Sequence, residues 1–278
     1  VAVVVGAVAG LNIVIGSLVA PFPVAAVVTI FALCVAAAVL VADPNRHLAP
    51  LILMLGMPLL GVGLSEPPAT ALSAGALLLL GSIYGWLVSL IWPDRPGIQR
   101  PAKAAVPRRV MLAYGIQIGI AGAAGAALGF ALDVDHPGWA CAAALLISRP
   151  DRALLDARSI GRILSVFLGA TAACVVAAFH PSNAVFAAVV LVVIAGAAGT
   201  AGSRWYVLPF FTTLLVLSML IGDETESATH WFLERVALTL AGAALAVLAA
   251  WVVPRVMAVP GSTAVGSQKS NSDQSSGT

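Results

Sequence analysis

The chain is built from long apolar runs separated by short breaks of Pro, Gly or charge. The runs occupy positions 1–19, 24–41, 48–64, 69–92, 110–132, 139–148, 163–179, 184–200, 205–221 and 231–253. A helix needs about 20 apolar residues to cross the hydrocarbon core. Nine of these runs come near that length, and 139–148 is about half of it. The runs are continuous instead of alternating, which argues against barrel strands, and closed helices are the other way to satisfy a backbone in lipid. The pattern predicts an all-α polytopic transmembrane helical bundle of about ten spans. No positive charge precedes the first run, and the first charge of either sign is Asp43, so it does not read as a signal peptide.

Composition agrees. Apolar residues make up 60% and charged residues 9%, against roughly 45–50% and 25% in soluble globular chains. A net charge of +2 is too small and too dispersed for a nucleic-acid surface. Cys34, Cys141 and Cys174 fall inside apolar runs without CxxC spacing and read as small buried hydrophobes. Charge also sorts by side. With the linker 93–109 placed in the cytoplasm and strict alternation, thirteen of the fourteen Lys and Arg share the cytoplasmic side and only Arg235 falls on the other. That bias follows the positive-inside rule and places both termini in the cytoplasm.

A weak internal repeat is visible. GSIYGWLVSLIWP at 81–93 aligns with GAALAVLAAWVVP at 242–254, and VAAVV at 24–28 with FAAVV at 186–190. Spans one to four then correspond to spans seven to ten. The expectation is two parallel six-helix-type repeats about an axis along the membrane normal, the first copy lacking its first two helices. The domains so read are a partial first repeat of four helices at 1–93, a basic cytoplasmic linker at 94–109, a second repeat of six helices at 110–255, and a polar, disordered cytoplasmic tail at 256–278. The missing pair and the opening Val1 suggest truncation. An internal pseudo-dimer follows if the missing helices exist, and a homodimer if they do not.

The short sixth run carries the most information. Ten residues rise about 15 Å, and the run stops at Arg149-Pro150, so a helix should break there inside protein or beside water. The next helix is expected to begin near Ile160, setting Arg158 and Arg162 on one face at its positive end. An Arg152–Asp156 pair at i,i+4 would leave Arg149, Arg158 and Arg162 as an anion-attracting vestibule. The alternative is that these arginines only anchor the interface. Tyr114 and Gln117, three apart on the fifth span, read either as a pore-lining pair or as an interhelical hydrogen bond. Trp139 faces either an aromatic substrate or the interfacial belt. His136 and Arg235 are candidates for proton relay or gating, although Arg235 can instead snorkel to the outer interface. No Asp or Glu falls in the middle of a span. The chain contains no phosphate loop, HExxH or GxSxG. Its four histidines are scattered, so no metal site, no cofactor and no enzymatic activity are expected.

The stretch PGWACAAALLISRPDRALLDARSIGRILSVFLG at 137–169 resembles the fusaric acid resistance, or aromatic acid exporter, family. That family opens a short helix with His-Pro-x-Trp, matched by His136, Pro137 and Trp139. It then carries Arg-x3-Arg-x2-Gly-Thr-x2-Gly, matched by Arg158, Arg162 and Gly169, with Ser165-Val166 in place of Gly-Thr. Arg235, Gly242 and Pro254 fit its sixth helix. The resemblance covers about 108–255 well. It implies a multi-pass transporter of the bacterial plasma (inner) membrane that exports organic anions, foremost aromatic carboxylic acids. A passive anion channel of the same fold and a non-transporting envelope-assembly scaffold are the alternatives. The implied partners are the organic anion, the lipid bilayer and, for some relatives, a periplasmic adaptor.

Overall fold

A computed structural model describes residues 2–43, 52–91, 107–200, 206–222 and 227–257. These form ten α-helices: α1 (Ala2–Val19), α2 (Pro23–Val41), α3 (Met57–Gly63), α4 (Pro68–Ile91), α5 (Arg108–Ala131), α6 (Gly138–Ile147), α7 (Arg152–Ala178), α8 (Asn183–Thr200), α9 (Leu208–Gly222) and α10 (Ala228–Val256). A widened π turn at Ile52–Gly56 leads into α3. The described residues include no strand. Seven helices, all but α3, α6 and α9, are long and apolar enough to cross a membrane, so the protein is a multi-pass helical membrane protein. Proline opens several of them, at Pro23 in α2, Pro68 in α4 and as the Pro107 N-cap of α5. Its missing amide donor costs nothing in a first helical turn.

The run 48–64, expected as a span, holds a π turn and the short α3, and the start of α7 departs furthest from the expectation. Helix α7 begins at Arg152, not near Ile160. Asp151 caps it, accepting the Leu154 amide at 2.7 Å, so the helix continues through the charged stretch 152–162 that hydropathy discounts. Arg158 and Arg162 therefore lie two and three turns inside the helix, and the positive end of α7 is already filled by a carboxylate of the chain. Arg152 and Asp156 are both exposed and the expected pair between them does not form. Within the basic linker, 94–106 lies outside the described residues, as do Arg46, Arg204 and the tail beyond Met257.

Packing centres on α6. Its ten residues are buried with the single exception of the half-buried Leu146, and its side chains enter three separate cores. Cys141 and Leu145 join α2, α3 and α5. Trp139 and Ala140 join α7, α8, α9 and α10. Ala144 and Ile147 join Ala121 of α5, Leu155 of α7 and the alanine face of α10. Glycine allows the close approach. A Cβ at Gly138 would overlap the Gly61 carbonyl of α3, and one at Gly125 of α5 would press at 2.7 Å on the Cys141 amide nitrogen. Around this centre α1 packs on α3 and α4, α2 on α5, and α7 on α9 and α10. In α4 only Ala71 and Gly75 are buried, and in α8 only Val193. Those two helices present their apolar side chains outward, to lipid in a membrane.

Candidate functional site at the broken helix

Helix α6 rises about 15 Å, half of a hydrocarbon core about 30 Å thick, and ends at Ser148. The Ser148 side chain turns back onto the Ala144 carbonyl at 2.7 Å, as its backbone amide does at 3.0 Å. Its own carbonyl, one of the orphan acceptors of a helix end, takes two donors. Tyr114 Oη donates at 3.1 Å from α5, and Arg149 Nη1 at 2.5 Å. The broken end is thus the negative pole of the half-helix, and a guanidinium covers it. Arg149 is only 6% exposed, and its Nε is buried without a partner among the described residues. Half-buried Arg158, two turns along α7, is close enough for its charge to act on Arg149 and Tyr114. Gln117, one turn deeper on α5 than Tyr114, is buried with its Nε2 unpartnered among the described residues. Of the two readings of the Tyr114–Gln117 pair, the interhelical hydrogen bond is present for Tyr114, with the peptide after α6 as its acceptor.

A second pair of arginines lies on neighbouring helices. Arg162 sits about 15 Å along α7 and Arg235 about 10 Å along α10, each counted from its own N-terminus. The helices are packed side by side, and their two guanidinium groups are close enough to act on one another as like charges. Both are half-buried. Among the described residues neither has an ion-pair partner, and the Nε of each is buried without a hydrogen bond. Arg235 reaches the first turn of α6. Its Cζ lies 4.6 Å from the centroid of the Trp139 ring. His136 also stacks on Trp139, at 4.0 Å and 13°, so protein groups occupy this ring.

Beyond that pair, the turn from α5 to α6 meets the first turns of α10. Asp133 takes a left-handed conformation, φ 50°, which Asp tolerates better than most side chains. The turn lays His136 against Glu234: the His136 backbone amide donates to Oε1 at 2.8 Å, and Nδ1 lies 3.4 Å from Oε2. His230 Nε2 is 2.7 Å from Asp135 Oδ2 and 3.8 Å from Glu234 Oε2. Glu234 is the only buried carboxylate among the described residues. It lies almost two turns into α10, because that helix starts at Ala228, three residues before the apolar run. An open cavity of about 1330 Å³ is lined by the ends of α7, α8, α9 and α10, including Cys174, His180, Asn183 and Ser218. No described arginine is among its lining residues.

The structure brings Arg149, Arg158 and Tyr114 together at one level, and Trp139, His136 and Arg235 at another, with Arg162 passing from the first group's helix to the second. Sequence reasoning missed the meeting of Arg162 with Arg235 and the partnership of His136 with Glu234. No sequence signal marked the first, because the two arginines lie on separate apolar runs that only packing brings side by side. The scattered histidines also converge in part, since His136 and His230 share Glu234.

Comparison with known proteins gives one relation. The family model described as fusaric acid resistance protein-like matches residues 106–249, the stretch that contains all of these side chains from Tyr114 to Arg235. No curated protein and no solved structure matches the chain.

Proposed function

Since the chain belongs to the fusaric acid resistance protein-like family, whose members act in membrane transport and resistance, we propose that it carries organic anions across the membrane along the arginines of α7 and α10. The observation that carries this reading is the Arg162–Arg235 pair. An arginine at the centre of a spanning helix costs about 2.5–3.5 kcal/mol. Two of them on neighbouring helices, close enough to act on one another as like charges and without an ion pair among the described residues, add mutual repulsion to that cost. A carboxylate between them would neutralise the repulsion and accept charge-assisted hydrogen bonds from both. Arg149 and Arg158, at the level where α6 ends, form the entry from the cytoplasmic side, and the Asp135–His136 turn marks the outer exit.

Among organic anions the reading favours aromatic carboxylates, the class to which fusaric acid belongs, and the direction is efflux from the cytoplasm through the inner membrane. Gln117, with a buried amide donor beside the path, would bind the same carboxylate. The aromatic part has no open ring to stack on at Trp139, so its selectivity would come from the apolar walls of α7 and α10.

The test is flux of benzoate or picolinate in proteoliposomes. Arg162→Gln and Arg235→Gln should each reduce flux at least tenfold, while Arg255→Gln, an exposed arginine lying over Trp251, should leave it unchanged. Unaltered flux in both inner variants overturns the reading. Flux that follows voltage but ignores an imposed pH gradient identifies a channel of the same fold.

A further inference from the structure

We propose that Asp135, His230 and Glu234 are the ligands of a divalent transition-metal ion of the zinc class, bound between the α5–α6 turn and α10. Each offers one ligand atom, and the three atoms lie within 4.8 Å of one another. His230 Nε2 stands 2.7 Å from Asp135 Oδ2 and 3.8 Å from Glu234 Oε2. Ligand atoms about 2.0–2.1 Å from a tetrahedral ion are roughly 3.3 Å apart, so small side-chain rotations bring all three to coordinating distance.

Electron counting favours an ion here. Two carboxylate oxygens and a neutral ring nitrogen that face one another can all act as lone-pair donors to one cation. A single proton on His230 Nε2 points at one carboxylate only, and at 2.7 Å that carboxylate is Asp135, leaving Glu234 Oε2 at 3.8 Å. A divalent ion would serve all three donors at once.

The surroundings are those of a braced site. The His136 amide holds Glu234 Oε1 at 2.8 Å, which sets Oε2 between His136 Nδ1 at 3.4 Å and His230 Nε2 at 3.8 Å. The His230 ring packs edge-on against Trp231 at 5.1 Å, and Glu234 itself is only 9% exposed. Outer contacts of this kind fix the orientation of metal ligands. Access comes from water, because the Asp135 and His230 side chains are 53% and 41% exposed. A fourth position then remains for water or a solute. The mixed nitrogen and carboxylate set suits zinc and cobalt and is poor for magnesium, which keeps to oxygen. The site departs from the expectation, drawn from scattered histidines, that the chain binds no metal.

Titration of the chelator-stripped full chain in nanodiscs tests this, using Zn²⁺ by calorimetry and Co²⁺ by its visible absorption. One ion per chain should bind, with a tetrahedral Co²⁺ spectrum, and millimolar Mg²⁺ should not compete. His230→Ala and Asp135→Asn should each weaken binding by 10-fold or more. Asp135 is exposed on a turn, so its variant reports on ligation and not on folding. Arg235→Gln should still bind the ion, which separates this site from the anion path. Wild-type protein that binds Zn²⁺ no more tightly than the Asp135→Asn variant overturns the proposal.

Discussion

At the scale of single residues, the protein is sensitive where backbones touch and tolerant where they face lipid. Gly138 and Gly61 meet with no room for a methyl group, whereas a methyl group on Gly85 of α4 would have no neighbour within 4 Å. Gly138→Ala should therefore destabilise the folded protein by about 1–3 kcal/mol or more, and Gly85→Ala should be neutral; thermal unfolding of the two variants in one detergent checks the contrast. Tyr114→Phe removes one of the two donors on the Ser148 carbonyl. Because Arg149 remains, the expected loss is only about 0.5–1.5 kcal/mol, visible as a small drop in melting temperature with the fold retained.

At the scale of helices, α7 shows what an apolar pattern reads and what it does not. Hydropathy places the start of that span at 163, because 151–162 holds two acids and three arginines. Helix geometry ignores that charge once Asp151 satisfies the Leu154 amide. Asp151→Ala should accordingly fray the first turns of α7 at a cost of about 0.5–2 kcal/mol, measured as faster amide exchange at 154–158. The α6 break, by contrast, was legible from the Arg149-Pro150 pair and the ten-residue length, and α6 does run from Gly138 to Ile147. The existence of the long spans and their starts near Pro23, Pro68 and Pro107 were equally legible. The arginine pair was not, since its two members are 73 positions apart (235 − 162) and only packing sets them side by side. The burial of Glu234 was not legible for a related reason: it depends on α10 starting ahead of its apolar run and on the α5–α6 turn lying against it.

At the scale of the whole molecule, surplus positive charge inside a helical bundle links ligand binding to stability. An anion seated between Arg162 and Arg235 relieves repulsion that the empty protein bears, so a transported carboxylate should raise the melting temperature. At a concentration 100 times its Kd the gain is about 2.7 kcal/mol. Arg162→Gln and Arg235→Gln should lose this protection. Thermal shift with and without picolinate measures both effects.

The burial of α6 on all sides has a mechanical consequence. One flank of this short rod is clamped to α3 and α5 and another to α10, with backbone-to-backbone contacts that leave no slack to slide, and α7 packs beside α10. If the two flanks change their angle to pass a solute, α6 becomes the fulcrum and moves least. Arg149, at its tip, then keeps a fixed position while Arg162 and Arg235 swing together with the flank formed by α7 and α10.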